Sequence, residues 1–162
     1  MAKLKRSALA HYIKAAAGEL GASWFLIGKD IDDMSVDMGG SFETTKNILD
    51  ETSVTDTGYS PSISVSPYYA DPSDSIYPFL LDIAMNRKSG DDAKAQYLEV
   101  VIEDASAESH KAWQEDCVIE IGSYGGGTNG VTIEYTIHPN GNRQQGTVTI
   151  SGKVPTFAPA QG

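Results

Sequence analysis

From Ala95 to Val154 the chain alternates apolar and polar residues in four successive runs, AQYLEVVIED, AWQEDCVIEIGSY, GVTIEYTIHP and QGTVTISGKV, parted by SAESH, GGGTNG and NGNR. Alternation with period two puts every second side chain on one face, as in a half-buried strand, and the Gly-, Asn- and Ser-rich segments between the runs supply turns. In VTIEYTI, Val131, Ile133, Tyr135 and Ile137 share one face, while Thr132, Glu134 and Thr136 share the other. In YLEVVIED, Leu98, Val100 and Ile102 oppose Tyr97, Glu99, Val101 and Glu103; in CVIEI, Glu120 opposes Cys117, Ile119 and Ile121. The stretch RQQGTVTISGKV (143–154) reads as one strand, with Val148, Ile150 and Val154 opposite Thr147, Thr149, Ser151 and Lys153. A core needs only one face. The second face is acidic and hydroxyl-rich, which suits bulk solvent and equally suits a water-filled channel that repels phosphate.

Upstream, WFLIG, DIDDMSVDMG and SISVSPYY are further strand signals. Residues 38–61 are rich in Thr, Asp and Gly without a clear period, and a connection of that length is expected to be functional or a long hairpin. One helix is expected after ADPSDS, where Ile76, Phe79, Leu80 and Ile83 recur at helical spacing and NRKSG closes the run. The Ala- and Lys-rich residues 1–22 read as a separable arm or short helix, residues 23–157 as one domain, and 158–162 as a C-terminal tail. The resulting fold class is mainly β: an antiparallel β-sandwich or open barrel with one packed α-helix.

The chemistry-bearing residues are sparse. With 12 Lys and Arg against 22 Asp and Glu, the 162 residues carry a net charge of −10, the wrong sign for grasping nucleic acid by phosphate neutralisation. Cys117, the single cysteine, precludes an internal disulfide and is expected to be a buried, inert thiol. GGGTNG (125–130) matches a phosphate-loop spacing, but a strand follows it where a helix N-terminus is needed, so it reads as a hairpin loop. The Asn-Gly in PNGN (139–142) reads as a tight turn. His11, His110 and His138 lack a metal-ligand spacing, no serine sits in G-x-S-x-G, and Asp30, Asp32 and Asp33 lack the glycine and distal glutamate of a calcium loop. No enzyme activity, metal or cofactor is expected. His11, Tyr12 and Lys14 interrupt any signal-peptide core, and no stretch approaches the ~20 apolar residues of a membrane span. The expectation is a soluble chain made in the cytoplasm.

The order of features resembles the major tail tube proteins of long-tailed, non-contractile bacteriophages. The resemblance is carried by WFLIGKDIDDMSVDMGGSFETTKNILDET, GYSPSISVSPYYADPSDSIYPFLLDIA and NGNRQQGTVTISGKVPTF, and spans about residues 24–157. It implies a β-sandwich subunit that forms hexameric rings, stacked into a tube in the virion tail through which DNA passes without specific binding. Tail initiator, tape measure and terminator proteins would be partners. The 38–60 segment would reach the neighbouring ring, engaging it through Phe42, Thr44, Asn47, Asp50, Thr52, Thr55 and Asp56, and the helix at 75–87 would lie near a subunit boundary. Residues 1–22 are longer than the resemblance implies. GTVTISG carries none of the charge or proline that normally blunts an edge strand, so Thr147, Thr149 and Ser151 are expected to extend the sheet into the next subunit. Glu99, Glu120 and Glu134 are the expected lumen-facing carboxylates.

Two other readings share the same residues. An inner tube of a contractile tail, a phage-like bacteriocin or a secretion system would use the same fold. A β-sandwich adhesin or carbohydrate-binding module would need an exposed aromatic platform, for which Tyr68, Tyr69 and Tyr77 are the candidates.

Overall fold

A computed structural model of the chain describes residues 3–15, 24–29, 31, 33–56, 58–152 and 154–160. Strands β1 (Leu9–Ala15), β2 (Phe25–Ile27), β3 (Met34–Asp37), β4 (Phe42–Lys46), β5 (Thr52–Asp56) and β6 (Ser62–Tyr69) precede the helix α1 (Tyr77–Met85). Strands β7 (Lys94–Val101), β8 (His110–Gly125), β9 (Thr132–Pro139), β10 (Gln144–Ser151) and β11 (Val154–Pro159) follow it. Nine of these strands form one curled antiparallel half-barrel with the order β2-β1-β7-β8-β9-β6-β3, while β10 and β11 branch from β8. Strands β4 and β5 pair only with each other. Among the described residues no helix is long and apolar enough to cross a membrane.

The sixteen-residue β8 organises the sheet. One edge pairs with β7 over Lys111–Val118. The other edge is shared, with β10 along His110–Gln114 and β9 along Cys117–Gly125. Strands β9 and β10 therefore run in the same direction, end to end beside β8. The Asn-Gly segment between them offsets the chain instead of reversing it: of the expected pair Asn140–Gly141, Gly141 takes a positive φ of 93°, and the second positive φ, 56°, falls on Asn142. Backbone bonds Asn140 N–H to Asp116 O (2.7 Å) and Asp116 N–H to Gly141 O (3.0 Å) stitch the junction. GGGTNG does close the β8–β9 hairpin, and Gly126 is needed there: at φ 121°, a Cβ would lie 2.5 Å from Gly130 O.

Apolar side chains fill both faces near β1 and β7. On one face α1 lays Phe79, Leu80 and Ile83 against Ile13, Tyr97, Cys117, Ile119 and Tyr135. On the opposite face Tyr12, Leu98, Val100, Ala112 and Val148 pack with Trp24 and Phe157. Burial pushes the Cys117 thiol up to about 12, as expected of a buried, inert thiol.

Several expectations need correction. The leader is not a separable arm: residues 1–2 and 16–22 lie outside the described residues, but Leu9–Ala15 is a strand held between β2 and β7, with His11, Tyr12 and Ile13 all buried. Because both of its faces are covered, β1 shows no alternation to read. Residues 143–154 are not one strand. β10 stops at Ser151, and Val154 opens β11 in register with Ser151. The supposed tail contributes Ala158 and Pro159 to β11. The helix lies where expected but takes no side-chain N-cap; Pro78 stands in its first turn instead.

Candidate functional site

The 38–61 segment is a projecting hairpin. Register pairs Phe42 with Asp56, Thr44 with Val54 and Lys46 with Thr52, so these six side chains share one face. Glu43, Thr45, Ser53 and Thr55 share the other, where Thr45 Oγ1 and Ser53 Oγ lie 2.9 Å apart. Every residue of both strands is exposed, Phe42 at 68 %. The tip is tightly organised: Asn47 Oδ1 accepts the backbone N–H of Leu49 (2.9 Å) and Glu51 (3.0 Å), and Asp50 takes a φ of 63°. This turn presents Ile48 fully exposed and Leu49 at 72 %. At the base, the Ser60 N–H bonds Met38 O at 3.0 Å. Of the expected contact residues, Phe42, Thr44, Thr52 and Asp56 come together on one face, Asn47 and Asp50 build the tip, and Thr55 points the other way. The aliphatic Ile48, Leu49 and Val54 were missed; the signal was NILD, an apolar pair inside a polar segment.

The outer face of β8, β9, β6 and β3 is a polar plane. Cross-strand register sets Glu120, Thr136, Ser64 and Ser35 in one row, with Asp37 opposite Ser62 and His138 opposite Val118 beside it. Glu134 accepts from Ser66 Oγ (2.8 Å) and Ser123 Oγ (3.3 Å), which fixes its carboxylate on that plane. Glu120 lies 3.8 Å from His138 Nε2. Glu99 is elsewhere. It lies on the face shared with Tyr97, largely covered, with its carboxylate 3.5 Å from Arg143 Nη2. Arg143 also binds the buried Glu115 at 2.5 Å and lies over the Trp113 ring. Leu98 and Val100 account for one core, so by alternation alone the face carrying Glu99 reads equally as solvent or channel; the second core, which holds Tyr97, covers it.

The expected sheet-extending edge also moves. Thr147 in β10 pairs with Lys111 on one side and Ala158 on the other, and Thr149 and Ser151 pair with Thr156 and Val154. The outer strand is β11, where Pro155 and Pro159 blunt the edge. An open edge occurs on β8 instead. The partner β7 ends opposite Val118, and no strand among the described residues pairs with Ile119–Gly125 on that side.

Alongside this edge, α1 and the turn after it bound a groove of about 660 Å³ lined by Ile83, Ala84, Arg87, Ile119, Ile121 and Tyr124 among others. The turn closes α1 with the Lys88 N–H on Ile83 O at 3.1 Å, placing Arg87 at the position that favours glycine. Arg87 has a φ of 50°, at a cost of about 1 kcal/mol for a side chain in that region.

A second polar group closes the seam of the half-barrel. Arg6 donates to Leu9 O (2.8 Å) and Met34 O (2.9 Å), tying β1 to β3, and Arg6 Nη2 lies 3.2 Å from His11 Nε2. Since a guanidinium only donates, His11 Nε2 is the acceptor and Nδ1 carries the proton that it offers to the Tyr97 hydroxyl. Burial first and Arg6 second lower the His11 pKa to about 4, so the ring is neutral at pH 7. This arrangement braces the fold, and a cavity of about 360 Å³ lined by Arg6, Ser7, His11, Leu26, Ile31 and Met34 lies beside it. Asp33 is exposed, and Asp30 and Asp32 lie outside the described residues. Among the described residues no group of three His, Cys, Asp or Glu side chains could hold a metal ion. No protein-family model matches the chain, and no curated protein sequence matches it.

Proposed function

We propose that the chain is a structural subunit of the kind that builds bacteriophage tail tubes, closing into rings that stack around an aqueous channel. The observation that carries this reading is the β4–β5 hairpin. An isolated two-stranded hairpin is marginally stable in water, yet this one holds Phe42 and Val54 on its strands and Ile48 and Leu49 on its ordered tip in solvent. Burying each against another surface contributes about 1.5–3 kcal/mol. A contact between stacked rings would supply that surface. The hydroxyl- and carboxylate-rich plane of β8, β9, β6 and β3 suits a channel wall past which a polyanion slides, because it offers few cations to hold phosphate. The open edge of β8 offers a place for lateral pairing within a ring, and ring closure would remove the aggregation hazard of that edge.

An exposed aromatic platform for sugars finds less support. Tyr68 is buried in the core, Tyr77 is half-buried, and Tyr69 alone of the three is exposed.

The test is to replace residues 43–55 with a short Gly-Ser turn and compare the variant with the intact chain by sedimentation and electron microscopy. The reading expects a folded, soluble variant that no longer stacks. Tubes indistinguishable from those of the intact chain would overturn it.

A further inference from the structure

We propose that the groove between the end of α1 and β8 is the seat for the hairpin tip of a second copy of this chain. The proposal rests on the self-assembly reading above and adds to it the receiving surface. Three observations converge. First, the tip is a preorganised apolar knob: Asn47 locks the turn, Ile48 stands fully exposed and Leu49 is 72 % exposed. A knob held in its bound shape loses little conformational freedom on docking. Second, the groove runs over the buried Ile83, Ala84 and Ile119 and presents Ile121 and Tyr124 at its surface, and its volume of about 660 Å³ falls in the range of sites that enclose a ligand of several side chains.

Third, the charges are complementary. The hairpin carries Lys46 against Glu43, Asp50, Glu51 and Asp56; Lys46 lies 3.4 Å from Asp50 and Asn47 Nδ2 donates to Glu51 at 2.7 Å, leaving the stretch after the knob net acidic. The groove is lined by Arg87 and by Lys88, the latter paired with Asp82 at 2.5 Å, against one carboxylate, Glu120, on a chain whose net charge is −10, so Arg87 is the cation that faces an incoming tip. Arg87 is exposed and occupies a backbone conformation that glycine would fill without strain. A cation at such a position, strained within its own subunit, fits a role in a contact outside it. Docking Ile48 and Leu49 would bring Asp50 and Glu51 to Arg87, where opposite charge also selects against a shifted register.

Cysteine cross-linking of the full-length chain tests the seat. Leu49→Cys and Tyr124→Cys, both exposed positions, are made in separate copies, mixed and oxidised; the native Cys117 is buried and does not compete. The proposal expects a disulfide-linked species only in the mixture. It further expects Arg87→Gly to raise the melting temperature of the subunit while raising the concentration needed for assembly at least tenfold. A merely structural role for Arg87 would not move these two readouts in opposite directions. Assembly without the cross-link overturns the seat and leaves the tube reading standing. Cross-linked open filaments without rings support the seat and overturn the tube. A wild-type chain that stays monomeric at every concentration overturns both.

Discussion

The His11 imidazole lies nearly parallel to the Tyr97 ring, with centroids 5.8 Å apart and planes inclined by 16°, and the two are joined by a hydrogen bond from His11 Nδ1 to the Tyr97 hydroxyl. Protonating Nε2 would turn a donor toward the Arg6 guanidinium and add like charge beside it. The folded chain therefore resists taking a proton that the unfolded chain accepts near pH 6.5. Stability is fully present above about pH 6.5 and falls as the pH drops toward 4, where the folded form also titrates. The span corresponds to roughly 3 kcal/mol. Denaturant titrations at pH 7 and pH 4.5 should show this loss in the wild type, and a much smaller pH dependence in His11→Gln.

Arg143 neutralises Glu115, whose side chain is only 7 % exposed. Burial raises the Glu115 pKa and Arg143 opposes the rise. Removing the cation should leave an uncompensated carboxylate, so Arg143→Ala is expected to cost about 2–3 kcal/mol at pH 7, below the range for a fully buried pair because Arg143 is itself partly exposed. The loss should shrink as Glu115 protonates in acid, and Arg143→Ala with Glu115→Gln should recover most of it. A constant loss from pH 7 to pH 4.5 would contradict this account.

The Tyr135 hydroxyl is buried without a hydrogen-bond partner. Tyr135→Phe removes an unsatisfied group while keeping the ring among its neighbours, so thermal unfolding should show unchanged or greater stability, by up to about 1–2 kcal/mol. A loss above 1 kcal/mol would mean that the hydroxyl has a partner in solution.

Gly146 is the point where β11 closes on β10. A Cβ there would lie 2.2 Å from Ala158 O and within 2.9 Å of the Phe157 ring. Gly146→Ala should push β11 outward and cost about 1–3 kcal/mol, with hydrogen exchange accelerated across Val154–Pro159. By the same geometry Thr149→Pro is expected to weaken the β10–β11 pairing and destabilise the subunit itself.

Strands β7 to β10 were legible because each alternates, and α1 was legible because Ile76, Phe79, Leu80 and Ile83 repeat at helical spacing; β11 was not. What remained hidden depends on pairing partners. Nothing local in Gln144–Ser151 tells an edge from an interior strand; that was decided by β11 adding outside it. Likewise β1 escaped because burial on both faces erases alternation, and Glu99 was misplaced because a second core lies behind it. Turn chemistry was read correctly at Gly141 but not at Asn140, and positive φ does not by itself say whether the chain reverses or steps sideways along a long strand. At the hairpin, composition marked the segment as unusual, while the exposed Ile48 and Leu49 at its tip required the fold.

The central claim is that this chain builds a tube, and imaging the purified, concentrated full-length protein by negative-stain electron microscopy tests it most directly. The account predicts hollow tubes or six-fold rings, with the hairpin at the boundary between rings. Uniform monomers at every concentration, including after seeding with preformed tail initiator complexes, would contradict it.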